Sequence, residues 1–312
     1  MRRVAPEIDL RGLAFAVAAY GWWGLGPIYF KAVRHVAPLE ILAHRVIWSF
    51  VALLILLSVR RRWDALRSAI RHRPTLLILF GTSVIISSNW FVFIWAITHD
   101  RVLEASLGYF INPLVNVLIG FVVLKERLTP AEWFSVAIAA TGVTWLTISA
   151  GVVPWVSLTL AVSFAVYGLL RKIARVDSIE GLTIETGTVL AIAIGYLVFL
   201  ELRGDAAFLS VSVTTDVLLL LAGVVTATPL LWFAIAVKRL RLATIGILQY
   251  LSPSIHFALA VLAYREAFDR TRFIAFAIIW ISLLIYTADN LRRGWRSRSP
   301  QTADLTSEEG LA

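Results

Sequence analysis

The chain has 312 residues, of which 59% are hydrophobic and only 16% charged, with a mean hydropathy of +0.80 and a formal net charge of +9. A soluble domain is about one-quarter charged, and this much apolar surface cannot be hidden in one water-soluble core, so the composition points to an integral membrane protein. The absence of cysteine excludes disulfides and thiolate metal sites, and basic residues set between apolar runs serve membrane topology rather than nucleic-acid binding.

A helix needs roughly 20 apolar residues to cross a bilayer. The first such run follows MRRVAPEIDLRG and extends to Phe30, longer than the ~7–15-residue core of a cleaved signal peptide, so a span is expected at 12–32. It carries AAYGWWGLGPIYFK, with Trp22, Trp23, a kink expected at Pro27, and Lys31 at its end. The second span, 39–59, brings in His44 and Arg45 within EILAHRVIWS. After the basic connector SVRRRWDALRSAIRHRP comes 75–98, with Asn89 and Trp90 in SSNWFVFIW. The fourth, 102–123, holds EASLGYFINPLVN. Spans at 131–150 and 153–173 follow, the latter with Tyr167 and Arg171, and then 180–201 with Glu185. The eighth, 214–237, contains TATPLLWF, with Thr226, Pro229 and Trp232; the ninth, 242–264, contains QYLSPSIH; the tenth is 269–290. Residues 291–312 begin basic, end acidic and polar, and read as a tail without fixed structure. About three-quarters of the 29 Lys and Arg fall on the side shared by the two termini and the even-numbered loops, which places that side in the cytoplasm.

The sequence matches itself at an offset of 140. Pro113 falls on Pro253, Glu126 on Glu266, Lys125 on Arg265, Arg101 on Arg241, Glu40 on Glu180 and Lys31 on Arg171. The chain thus divides into halves, 1–150 and 151–290, of five spans each. Five is odd, so the second half must enter the membrane from the other side. The expected fold is therefore all-α, with ten transmembrane helices in two inverted five-helix repeats. That architecture is characteristic of secondary transporters, with the substrate near mid-membrane.

Pro113 cannot donate to the carbonyl of Tyr109, nor Pro253 to that of Gln249. Tyr109, Asn112 and Asn116 share one helical face, and Gln249, Ser252 and His256 stand at the matching places of the second half. Such groups either line a cavity or bond helices together in lipid. Cavity lining is favoured for Tyr109, Asn112 and Gln249, and neither reading is preferred for Asn116 and His256. Trp23, Asn89, Trp90 and Tyr167 join them as cavity candidates. A charge at the centre of a span costs about 2.5–3.5 kcal/mol and needs a partner. Arg45 and Glu104 enter from the same side and are expected to meet, with Lys31 or His44 nearby. Glu185 is expected to meet Arg171, Lys172 or Arg241. These pairs either fix helix register or open and close as gates.

No HExxH, GxSxG, P-loop or dinucleotide fingerprint occurs, and the five histidines are not at metal spacing. No enzyme, cofactor or metal is expected, and no soluble segment is long enough for a nucleotide-driven pump. The motifs AAYGWWGLGPIYFK, EILAHRVIWS, NWFVFIWA, EASLGYFINPLVNVLIG, KERLTPAEW, FAVYGLLRK, IET and LQYLSPS resemble those of RarD-type proteins of the EamA group, in the drug/metabolite transporter superfamily. The resemblance covers about residues 12–290. It implies two inverted five-helix repeats, a place in the bacterial inner membrane and permease or exporter activity. The cavity would lie among the first, third, fourth, sixth, eighth and ninth spans, with Pro229 and Trp232 departing from the family pattern. The expected partners are a small-molecule substrate and the lipid bilayer, with a homodimer as a compatible assembly. A receptor or assembly partner that keeps the fold without transporting is the second reading.

Overall fold

The computed structural model describes residues 9–98, 102–150, 155–263 and 270–297, which form helices and no strands. The helices are α1 (Leu10–Ala32), α2 (Pro38–Val59), α3 (Trp63–Arg71), α4 (Arg73–Thr98), α5 (Val102–Val122), α6 (Pro130–Ala150), α7 (Trp155–Ile173), α8 (Ser178–Arg203), α9 (Val213–Arg239), α10 (Leu242–Gln249), α11 (Leu251–Ala258) and α12 (Arg270–Ser297). A π-helical turn, Leu259–Ala263, continues α11.

Local chemistry sets the helix ends. The Asp9 carboxylate accepts from the Gly12 amide at 2.9 Å and so starts α1. That amide first, and Arg239 second, hold the Asp9 carboxyl below its ordinary range. Thr129 and Glu132 form a reciprocal capping box at the start of α6: Glu132 Oε2 accepts from the Thr129 amide at 2.8 Å, and Thr129 Oγ1 from the Glu132 amide at 3.2 Å. Ser212 caps α9 through the Thr215 amide, and Gly204, at φ 71°, ends α8 in the left-handed region. Two lysines close helix C-termini reciprocally. Lys172 on α7 donates to Val237 and Leu240 carbonyls at the end of α9, and Lys238 on α9 donates to Ala174 and Val176 just past α7.

These contacts sort the chain ends. Asp9–Arg239, Arg62–Asp177, Arg241–Glu132 and Thr129–Asp289 gather one set of loops at a basic end of the bundle. Glu40, which accepts from the Ala207 and Phe208 amides at 2.7 and 3.1 Å, and His35, bonded to Thr215, join the α1–α2 and α8–α9 connections at the opposite end.

α2 packs on α8 and α9, α1 on α9 and α11, α4 on α7 and α8, α5 on α7 and α10, and α6 on α12. Glycines allow two of these crossings. A Cβ at Gly223 would lie 2.2 Å from the Trp48 carbonyl carbon, and one at Gly246 would lie 2.5 Å from the Pro113 carbonyl oxygen. Small residues at helix crossings are what close packing in lipid selects. Outward-facing Leu77, Ile148, Ile192 and Leu284 are exposed, as lipid-facing side chains are in a membrane bundle.

The structure adds detail to the expected spans. The basic connector contains α3, an amphipathic helix that buries Leu66 and Ala69 and shows its charges outward. At Pro27, Pro113 and Pro229, three of the four prolines at which kinks are expected, α1, α5 and α9 continue without a break. Only ahead of Pro253 does the helix break, at Tyr250, where the Gln249 carbonyl lacks its proline partner. Among the described residues, seven helices are long and apolar enough to cross a membrane: α1, α2, α4, α6, α7, α8 and α9. The apolar parts of α5 and α12, Gly108–Val122 and Phe273–Asp289, are shorter, and the ninth expected span is divided between α10 and α11.

Candidate functional site

Two charged residues within the bundle, Arg45 and Glu185, border one narrow cavity, each with its own set of partners. Arg45 of α2, Trp90 of α4, Tyr167 of α7, Glu185 of α8 and Thr226 of α9 all line it. Its volume is about 20 Å³, room for about one water. Arg45 Nε donates to Thr226 Oγ1 at 2.8 Å. The guanidinium carbon lies 5.5 Å from the Phe30 ring centroid and 5.2 Å from that of Trp90, within cation–π range. The phenols of Tyr29 and Tyr109 are within reach of its charge.

Glu185, by contrast, is fully committed. Its Oε1 accepts from Thr82 at 2.6 Å and faces Arg171 Nη1 at 3.5 Å, and its Oε2 accepts from the Tyr167 hydroxyl at 3.3 Å. Its backbone carbonyl accepts from Ser83 at 3.0 Å. Arg171 is 0% exposed and also donates to the Ser178 carbonyl. It rests on Gly181, where a Cβ would come 2.0 Å from Nη1. Of the three basic partners expected for Glu185, Arg171 is the one in contact. Lys172 caps α9, and Arg241 pairs with Glu132 at 2.7 Å.

The polar stripe departs from cavity lining. Asn112 and Asn116 are each 2% exposed and Gln249 5%. Asn112 donates to the Ala161 carbonyl of α7, Asn116 donates to Asn112 Oδ1 at 2.8 Å, and Asn116 reaches Gln249 Oε1 at 3.4 Å. The stripe therefore bonds α5, α7 and α10 to one another. Ser252 donates to the Tyr20 carbonyl at 2.6 Å, Asn89 donates to the Leu160 carbonyl and Ser163 hydroxyl, and His256 Nε2 lies 3.1 Å from the Trp23 carbonyl oxygen. Ser252, Asn89 and His256 are thus each engaged with a neighbouring helix. Trp23 belongs to an aromatic core with Tyr20, Phe164, Tyr167 and Phe233, in which Tyr167 and Phe233 stack at 6.1 Å. Tyr109 differs: it is 43% exposed and touches Phe93 edge-on at 6.2 Å.

The Glu104 side chain lies outside the described residues, as do all of Arg101, Arg265 and Glu266. The expected Arg45–Glu104 contact therefore falls beyond the structure's description. His44 is buried, accepts from Trp48 Nε1 at 3.1 Å and sits against Phe208; Lys31 is exposed at the end of α1. Sequence reading passed over Thr82, whose hydroxyl looks ordinary in an apolar run. It also left Glu40 and Glu180 without partners. Glu40 holds the amides of a distant loop, and Glu180 meets Arg62 Nε at 2.6 Å. Their equivalence across the offset of 140 was the available signal.

Seven long apolar helices among the described residues, in a bundle with an apolar exterior, define a multi-pass membrane protein. Residues 10–148 match the EamA-like transporter family. An "Uncharacterized transporter" of Vibrio cholerae serotype O1 is 45% identical over 92% of this chain and 95% of its own length. A "Protein RarD" of Streptomyces exfoliatus is 41% identical over 92% and 91%, and one of Escherichia coli strain K12 is 41% identical over 89% and 94%. The chain belongs to the EamA-like transporter family, as a RarD-type member. A solved crystal structure with 21% sequence identity superposes with a TM-score of 0.70 over 92% of this chain and 99% of that one, which bears on the fold alone.

Proposed function

We propose that this chain is a secondary transporter that exports small organic solutes across the bacterial inner membrane by alternating access. Its two inverted five-helix halves, 1–150 and 151–290, would exchange conformations around the cavity between Arg45 and Glu185. Both termini, with residues 291–312, would lie in the cytoplasm. The observation that carries the reading is the symmetry of the packing. Exchanging the halves maps α1 on α9 to α7 on α4, α2 on α9 to α8 on α4, and α5 on α7 to the α10–α11 pair on α1, and every one of these contacts exists. The charged residues follow the same rule. Arg45 on α2 bonds Thr226 on α9, and Glu185 on α8 bonds Thr82 on α4. A bundle whose two halves make equivalent contacts has two packings of similar energy, which is what alternating access requires.

The cytoplasmic side would be shut in this conformation, latched by Lys172, Lys238 and the Arg62–Glu180 pair. The test compares metabolites inside and outside cells with the gene, without it, and with Glu185→Gln. The reading expects at least one solute to accumulate outside only with the intact gene. Identical profiles in all three, with the protein present in the membrane, would count against it.

A further inference from the structure

We infer that Arg45 anchors the carboxylate of a small, ring-bearing organic anion; this rests on reading the cavity as the solute pathway and names the class of solute. Only the Nε edge of Arg45 is spent, on Thr226 Oγ1 at 2.8 Å. Among the described residues its two terminal nitrogens make no hydrogen bond and no salt bridge. A cation within a span costs free energy unless something answers it, and here the answer from the described protein is two aromatic faces, Phe30 and Trp90. Those contacts and the threonine fix the plane of the guanidinium while its fork stays open. A fixed, open fork matches the two oxygens of a carboxylate.

The surroundings set the rest of the class. Glu185, the other charge on the cavity, is neutralised by Arg171 and saturated by Thr82 and Tyr167. Glu40 is occupied by two backbone amides. The described side of the cavity is thus cationic, with its open charge on Arg45, so it favours a solute that carries a carboxylate. Exposed Tyr109 and half-buried Trp90 offer ring surfaces beside the charge, which suits an aromatic or alicyclic body. The space between Arg45 and Glu185 holds about one water, so the solute would sit on the accessible side of Arg45. Glu104 is the partner expected from sequence, and a soluble carboxylate would displace it.

The test is equilibrium binding to the purified full chain in detergent. The probes are benzoate, phenylacetate and indole-3-acetate, each against its neutral primary amide. The acids are expected to bind at least tenfold more tightly than the amides. Arg45→Gln should abolish that preference, Arg45→Lys should keep part of it, and Glu104→Gln should leave acid binding unchanged or tighter. Should Arg45→Gln fail to fold, Thr226→Val keeps the charge but frees its orientation and should narrow the preference severalfold. Amides binding as well as acids, no acid binding at millimolar concentration, or loss of binding in Glu104→Gln would each overturn the inference. Competition by inorganic phosphate or dihexanoyl phosphatidylglycerol, without any by the acids, would assign the fork to lipid headgroups and overturn it too. Acids that bind but never cross a membrane would defeat the transport reading alone. Flux of neutral solutes with no acid preference would defeat the anion assignment alone.

Discussion

Arg171 and Glu185 are both buried in the bundle, so each is tolerable only because of the other. Removing one partner leaves an uncompensated buried charge, which costs about 3–5 kcal/mol. We expect Glu185→Leu or Arg171→Met alone to lower the detergent unfolding midpoint more than the double variant Arg171→Met/Glu185→Leu does. Additive losses in that cycle would show that the two residues act independently. Glycine makes a second residue-scale case. Gly223→Ala and Gly246→Ala would drive a methyl into a neighbouring backbone and are expected to cost about 1–3 kcal/mol and lower the monodisperse yield. Gly195→Ala, which meets nothing within 4 Å, should be neutral or slightly stabilising; equal losses at all three would contradict the account. The sequence showed that Arg45, Glu185 and Asn112 needed partners, because charge and amide groups are costly in apolar helices. It did not show which partner each would find. Asn112 and Gln249 carry the same signal whether they line a cavity or bond α5 to α7 and α10, and only the arrangement of the helices decides between these.

Helix ends show how elements are locked together at the basic end. Glu126 accepts from the Leu242 and Ala243 amides at 2.8 and 3.1 Å, and so satisfies the free donors at the start of α10. Because α10 has only eight residues and ends at the Tyr250 break, it depends on this cap more than a long helix would. Glu126→Ala is therefore expected to raise hydrogen exchange across Leu242–Gln249 severalfold, while exchange in α9 stays as it was. Unchanged exchange in α10 would mean that packing on α5 alone holds it. Element positions were the most legible property of the sequence, since each apolar run of spanning length became helical. The break before Pro253 was legible too, but why Pro113 leaves α5 unbroken was not. Both prolines remove the same hydrogen bond. The α3 helix was hidden because a nine-residue pattern in a basic segment carries too few apolar positions to stand out.

For the whole molecule, side assignment is the sharpest consequence of the contacts between loops. The basic end carries Arg67 on α3, and the opposite end carries Val211 before α9; both residues are exposed. Because the chain has no cysteine, a single one can be introduced at either place without removing others. With the termini in the cytoplasm, a membrane-impermeant maleimide should label Val211→Cys in intact cells and Arg67→Cys only after lysis. Labelling of both from outside would break the proposed topology. The matches at an offset of 140 and the charge bias were visible as sequence patterns, whereas the packing of α1 on α9 and of α7 on α4 required the fold. The most direct test of the central claim is flux through purified chain in proteoliposomes, with a panel of small organic acids and neutral metabolites. The account predicts saturable, substrate-dependent uptake, accelerated by solute on the opposite face and lost in Glu185→Gln. The absence of flux for every solute, from vesicles that hold folded protein in both orientations, would contradict it.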